Sequence, residues 1–135
     1  MKPAGDYVLD SFAVLAYLGD EPGAEAVRAV IGHGRAGAGS VFMSTINLGE
    51  CLYIIERERG LKATHRAIAA IDQLPVEVVA ADRERAFAAA HIKAHHRMSF
   101  ADAFAVALAQ EKGAAVVTGD PEFGQVESLV AVHWL

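Results

Sequence analysis

An α/β fold built on a parallel sheet is predicted by three features of the sequence. Short β-type apolar runs alternate with helical patterns from end to end, glycines stand where helical patterns stop, and 135 residues is near the commonest length for one domain. In chain order, strand Tyr7–Leu9 is closed by Asp10, and the helical pattern Ser11–Leu18 follows it. A second helix, Ala24–Gly34, leads through a Gly/Ala stretch to strand Val41–Met43. Helix Thr45–Arg59 stops at Gly60, and helix Ala63–Gln73 comes next. Strand Val76–Val79 and helix Arg83–Ala94 follow. Helix Phe100–Lys112, ended by Gly113, then precedes strands Ala115–Val117 and Leu129–Val132. With no linker, internal repeat or membrane-type run between these elements, residues 1–135 read as one domain.

Composition narrows the class further. The apolar share is 53% and mean hydropathy +0.26, high for a short chain, so part of the surface is expected to be covered by a partner copy. The lone Cys51 rules out an internal disulfide, fits a reducing cytoplasm and reads as a small buried hydrophobe. The longest N-terminal apolar run is broken by Asp10, so neither a membrane span nor a signal peptide is expected. A net charge of −5 argues at first sight against a polyanionic substrate. Four acids carry most of that excess: removing Asp10, Glu50, Asp102 and Asp120 from the 17 acidic residues leaves 13 against 12 Lys and Arg.

Gly32, Gly34 and Gly37 spell G-x-G-x-x-G, but they follow a helical pattern and precede a strand, the reverse of a dinucleotide-binding turn. They read as a helix-to-strand loop.

The four acids invite a structural explanation first. Asp10 stands where a helix N-cap would stand, Asp120-Pro121 is an N-cap followed by proline at the first helical position, and Ser99 to Asp102 fits a capping box. Glu50 escapes that account. It lies inside a helical pattern among apolar Ile46, Cys51, Leu52, Tyr53 and Ile54, unlike Glu56 and Glu58, which alternate with arginines. Asp102 shares the anomaly as the only charged residue between Met98 and Gln110. Ionised carboxylates in such surroundings cost several kcal/mol unless paired or bound to a cation. Ligands of open α/β sheets bind beyond the carboxyl ends of the strands. If Tyr7–Leu9 is central and pairs with Ala115–Val117, Asp10 and Asp120 emerge about 5 Å apart, and Asn47 and Glu50, at i and i+3, point together. Oxygen ligands without cysteine suit Mg²⁺ or Mn²⁺.

These motifs resemble those of the PIN-domain ribonucleases, in particular the VapC toxins of bacterial toxin–antitoxin pairs. Tyr7-Val8-Leu9-Asp10-Ser11, Asn47-Leu48-Gly49-Glu50, Ser99-Phe100-Ala101-Asp102-Ala103 and Thr118-Gly119-Asp120-Pro121-Glu122-Phe123 look like the family's four acidic motifs, in the same order over nearly the whole chain. The resemblance implies a five-stranded parallel sheet in a three-layer α/β/α sandwich. It also implies Mg²⁺ or Mn²⁺ held by Asp10, Glu50, Asp102 and Asp120, and support from Ser11, Asn47, Ser99 and Thr118. An RNA substrate, a homodimer and inhibition by a cognate antitoxin follow as expectations.

RNA also needs cations. Arg57, Arg59, Lys62 and Arg66 surround the Gly60 turn, with Lys93 and Arg97 near the third motif, although the first group reads equally as a solvated helix corner. Two rival readings remain at this point. A metal-free ribonuclease would use His91, His95 or His96, for which no third partner is evident, and a catalytically silent PIN-like domain would bind RNA or protein through the same groove.

Overall fold

The computed structural model describes residues 5–135; the first four residues of the expected 1–135 domain lie outside the described residues. Five parallel strands form one sheet: β1 (Tyr7–Leu9), β2 (Val41–Ser44), β3 (Glu77–Val79), β4 (Ala115–Thr118) and β5 (Val132–Trp134), in the order β3-β2-β1-β4-β5. Strand β1 is central, pairing Tyr7 with Val41 on one side and Leu9 with Val117 on the other. The strand order reverses between β1 and β4, which is where open α/β sheets leave a crevice for ligands.

Six helices and a 3-10 helix connect the strands. They are α1 (Ser11–Leu18), α2 (Ala24–Arg35), α3 (Thr45–Arg59), α4 (Leu61–Asp72), α5 (Arg83–His95) and α6 (Phe100–Lys112), with the 3-10 helix at Pro121–Val126. Alternation along the strands sorts the layers. Val8, Phe42 and Val116 pack against α5, α6 and the 3-10 helix, whereas Tyr7, Leu9, Val41, Met43 and Val117 pack against α1 and α2 with Cys51 of α3 and Ile71 of α4. A smaller cluster of Ile55, Ala63 and Ala67 seals α3 and α4 against Leu15 and Leu18 of α1. The result is the three-layer α/β/α sandwich, with an apolar core on each side of a sheet buried at its centre.

Several boundaries differ from the sequence-based expectation. The last strand is Val132–Trp134 rather than Leu129–Val132, because Leu129 and Val130 donate their N–H groups to the Val126 carbonyl and complete the turn before it. The third strand begins at Glu77, whose partner is Phe42, so Val76 lies outside it. Helix α4 starts two residues early: Gly60, at φ +89°, both ends α3 and begins α4. The helix α2 runs through Gly32 and Gly34 to Arg35, so of the three glycines of the G-x-G-x-x-G pattern only Gly37, at φ +74°, belongs to the loop before β2. Among the described residues, no helix is long and apolar enough to cross a membrane.

Candidate functional site

Because all five strands are parallel, the residues that follow them gather at one edge of the sheet. Asp10 directly follows β1 and is almost wholly buried; its carboxylate accepts from Ala13 N at 2.8 Å and caps α1. Asp120 follows β4 by two residues and caps the 3-10 helix, accepting from Glu122 N at 2.9 Å. The capping explanations of both acids are therefore real, and each leaves carboxylate oxygen lone pairs unspent. For α6 the cap is Ser99, whose Oγ accepts from Asp102 N at 3.1 Å; Asp102 itself is half-buried on the first turn.

Electrostatics ties the acids together. Burial pushes the Asp10 carboxyl up to about 7; hydrogen bonds from Thr118 and Ala13 oppose the rise, and the charges of Asp102 and Asp120 add to it. Asp102 is pushed up to about 6, again chiefly by burial, with the Ser99 hydrogen bond opposing and Asp120, Glu50 and Glu122 adding their repulsion. Asp102 thus feels acids from α3 and from the 3-10 turn, and Asp10, just beyond β1, feels Asp102 and Asp120. Carboxylate oxygens of Asp102, Asp120 and Glu122 all lie within 4.8 Å of one another. Glu122 stands in the fourth motif, outside the four acids that the sequence marks. Its exposed place beside a proline gives no signal in sequence, and only the fold of the turn brings it to Asp102.

The polar residues beside the acids are buried and interlocked. Asn47 is wholly buried, and its Nδ2 donates to Ser11 Oγ at 3.0 Å and to the Ala101 carbonyl at 3.2 Å. Ser11 Oγ lies 3.4 Å from the Asn47 carbonyl. Thr118, also fully buried, accepts from Asp120 N at 3.0 Å. A Cβ at Gly119, between them, would overlap the Phe12 ring, so a larger residue there requires that exposed ring to move. Among the described residues, Asn47 Oδ1 is the one buried side-chain polar atom with no hydrogen-bond partner. Cys51, one residue beyond Glu50, is buried, and its thiol is pushed up to about 12 by burial and by the Glu50 charge, so it stays protonated.

A divalent cation fits this donor set. The clustered ligand atoms are hard oxygens, the acids repel one another without a counter-charge, and the buried amide that ties α3 to α1 and α6 leaves its own oxygen unpartnered. Among the described residues the histidines form no comparable group: the His91 and His95 rings lie 4.8 Å apart between centroids, tilted by 56°, on α5 and outside the carboxylate cluster. A cavity of about 420 Å³ between β2, β3, α5 and α6 is lined by none of the four acids. Arg85 there is already paired in bidentate fashion with Glu111 and bonded to Asp82.

The six basic residues fall into two places. Arg57 lies over the Tyr53 ring at 5.1 Å, and Arg59 and Arg66 border a groove between α1 and the α3–α4 corner that also carries Glu21 and Glu58. Lys62 stands on the first turn of α4. Lys93 donates to the Met98 carbonyl at 2.9 Å, and Arg97 is held through its backbone by Gln125, so both belong to the segment leading into Ser99 and Asp102.

Comparison with solved structures returns the same architecture. VapBC2 from Rickettsia felis, bound to a DNA fragment from its promoter, superposes with a TM-score of 0.77 at 13% identity, covering 96% of this chain and 99% of that one. DNA-bound VapBC from Salmonella typhimurium gives 0.73 at 20% identity over 95% and 96% of the two chains. VapC20 from Mycobacterium tuberculosis, a toxin that cleaves the Sarcin-Ricin loop, gives 0.72 at 19% identity over 89% and 94%. Among curated proteins, no sequence match is found. The PIN domain family model matches residues 7–129, a span that begins with β1 and includes all four acidic motifs, and the chain therefore belongs to the PIN domain family.

Proposed function

We propose that this chain is a Mg²⁺-dependent endoribonuclease, the toxin of a type II toxin–antitoxin pair, with Mn²⁺ able to substitute. The observation that carries the reading is the cluster of Asp102, Asp120 and Glu122 carboxylates at the edge of the sheet where the strand order reverses; the charges of Asp102 and Asp120 acting on Asp10, and of Glu50 on Asp102, support counting Asp10 and Glu50 with them. Membership of the PIN family and similarity to a toxin that cleaves the Sarcin-Ricin loop support nuclease chemistry.

In this reading Asp10, Glu50 and Asp102 would form the main ligand set, and Asp120, with Glu122 beside it, would hold a second ion or act through water. A divalent cation held by these residues would supply Lewis-acid chemistry, acidifying a water for attack on a phosphodiester and offsetting charge on the leaving oxygen. The protein's part is to hold the oxygens. The Ala13 N–H and the Thr118 hydroxyl favour the ionised form of Asp10, and Ser99 does the same for Asp102. Ser11 and Asn47 lock α1, α3 and the start of α6 together, which fixes Glu50 relative to Asp10 and Asp102.

RNA phosphates would be held by Lys93 and Arg97, tied to the segment that leads into Ser99 and Asp102, and by Arg57, Arg59, Lys62 and Arg66. The VapBC assemblies among similar structures support an antitoxin partner. An antitoxin arginine could enter the acidic pocket with bidentate contacts. Exposed Tyr53, Leu61 and Phe87, the last 78% accessible, supply apolar surface for a homodimer.

The test is cleavage of RNA by protein purified free of antitoxin. Activity with Mg²⁺ or Mn²⁺, lost in excess chelator, is expected, together with growth arrest on expression that a co-expressed antitoxin relieves. Turnover that persists in chelator overturns the metal mechanism, and a folded protein inert under all metals leaves only a binding role.

A further inference from the structure

Gln125 lies in the 3-10 helix, three residues beyond Glu122, and its side chain bonds only to backbone. Its Oε1 accepts from Arg97 N at 2.9 Å, and its Nε2 donates to the Arg97 carbonyl at 2.6 Å and to the Glu122 carbonyl at 3.0 Å. Both amide hydrogens are thereby used, and the N–H and C=O of one residue on another segment are clasped together.

The two segments so joined carry acids of the site. The Arg97 segment leads through Met98 to Ser99, which caps α6 and receives Asp102 N at 3.1 Å. The Gln125 segment begins at Asp120 and contains Glu122, and these two carboxylates meet that of Asp102 within 4.8 Å. Like charges at that spacing push the turn and the start of α6 apart. Phe123 and Val126, wholly buried, set how deeply the turn sits. Among the described residues, the bonds of Gln125 are the only hydrogen bonds between residues 120–126 and residues 96–99.

We propose that Gln125 is a positioning residue of the acid site: by clasping Arg97 it holds the Asp120–Glu122 turn against the start of α6 and sets the spacing of Asp102 from Asp120 and Glu122. The inference rests on reading those acids as a divalent-cation site. It also fixes the backbone of Arg97, one of the cations assigned to RNA, at the border of that site. Gln125 is exposed, so its bonds act on local geometry more than on global stability.

The experiment titrates Mn²⁺ alone into metal-free protein, following loss of the free-ion electron paramagnetic resonance signal. The parent is compared with Gln125→Met, which keeps length without polar atoms, and with Gln125→Ala. Melts in chelator and RNA cleavage at low and saturating Mn²⁺ accompany the titration. Both variants are expected to bind Mn²⁺ roughly fivefold more weakly and to melt within about 2 °C of the parent in chelator. Their cleavage rate should fall at low Mn²⁺ and recover toward the parent's at saturation, a shift that general loss of structure does not produce. Equal Mn²⁺ affinity in parent and variants overturns the role of Gln125 while leaving the metal site standing. Variants that melt many degrees lower in chelator overturn it by making Gln125 a general scaffold residue. A parent that binds no Mn²⁺ removes the cation reading and this inference with it.

Discussion

Asn47 Nδ2 stands 3.2 Å from the carbonyl oxygen of Ala101, so a wholly buried amide in α3 holds the first turn of α6, one residue before Asp102. The same nitrogen reaches Ser11 Oγ, next to Asp10. One side chain therefore joins three of the four segments that carry the acids.

Asn47→Ala should lower stability and activity together. The substitution removes the donor for Ser11 Oγ and for the Ala101 carbonyl in a site without room for compensation by bulk water, a loss of about 1–3 kcal/mol. Urea denaturation of metal-free protein measures it, and RNA cleavage should fall by more than the folded fraction does. A variant as stable and as active as the parent would show that the amide is dispensable.

The pH dependence of the metal-free protein should run opposite to that of a salt-bridged acid. The folded-state value of Asp10 is about 7 against 3.8 for the free side chain, with burial the main cause. Below 3.8 both states are protonated and the residue contributes nothing. Between 3.8 and 7 the folded form keeps a proton that the unfolded form has lost, so stability declines as pH rises; above 7 the penalty is constant, on the order of 4 kcal/mol. Asp102, raised to about 6, adds the same sign over a narrower interval. Urea melts in chelator at pH 5 and pH 8 should show the parent weaker at pH 8, and Asp10→Asn, which keeps a cap acceptor for Ala13, should flatten the difference. An identical pH slope in parent and variant would remove Asp10 as the cause.

The unequal legibility of these residues has physical reasons. Glu50 and Asp102 stand out in sequence because a lone acid in an apolar helix has no inexpensive solvation, and Asp10 because an acid closes the strand that becomes central. Their gathering at one edge follows from five parallel strands, which the alternation of runs already implies. Glu122 and Gln125 are different. Both sit exposed in a short 3-10 turn, and their importance arises from contacts with segments 20 or more residues away, for which local pattern holds no trace. The start of the last strand is hidden for a related reason: Leu129 to Val132 is uniformly apolar, so nothing local marks where the turn ends and pairing with Val116 begins.

Glu122→Gln tests the acid that sequence did not single out. Its backbone N–H, not its side chain, serves the Asp120 cap, so the cap survives. Because the residue is exposed, stability in chelator should stay within about 0.5 kcal/mol of the parent. Mn²⁺ affinity should fall several-fold, less than for Asp120→Asn. Equal affinity in variant and parent would place Glu122 outside the ligand set.

Asp102→Asn separates a ligand from a structural cap most sharply. Ser99 is the N-cap of α6, and its Oγ takes the N–H of residue 102 whatever the side chain there, so the variant keeps the cap. Asparagine also keeps the shape of the acid and an oxygen that accepts hydrogen bonds. What disappears is the negative charge on which Asp120, Glu50 and Glu122 all act. In chelator that relief should leave the variant as stable as the parent or slightly more so, with screening at a half-exposed site holding the gain to roughly 1 kcal/mol or less. Metal reverses the order. A ligand bound only by the folded state stabilises it by mass action, so millimolar Mg²⁺ or Mn²⁺ should raise the melting temperature of the parent more than that of the variant. Four melts, parent and variant each with chelator and with metal, run beside an RNA cleavage assay in which the variant should be inactive. If Asp102→Asn instead melts several degrees lower in chelator, gains as much from metal as the parent and still cuts RNA, Asp102 holds the helix rather than a cation, and the four-carboxylate site is wrong.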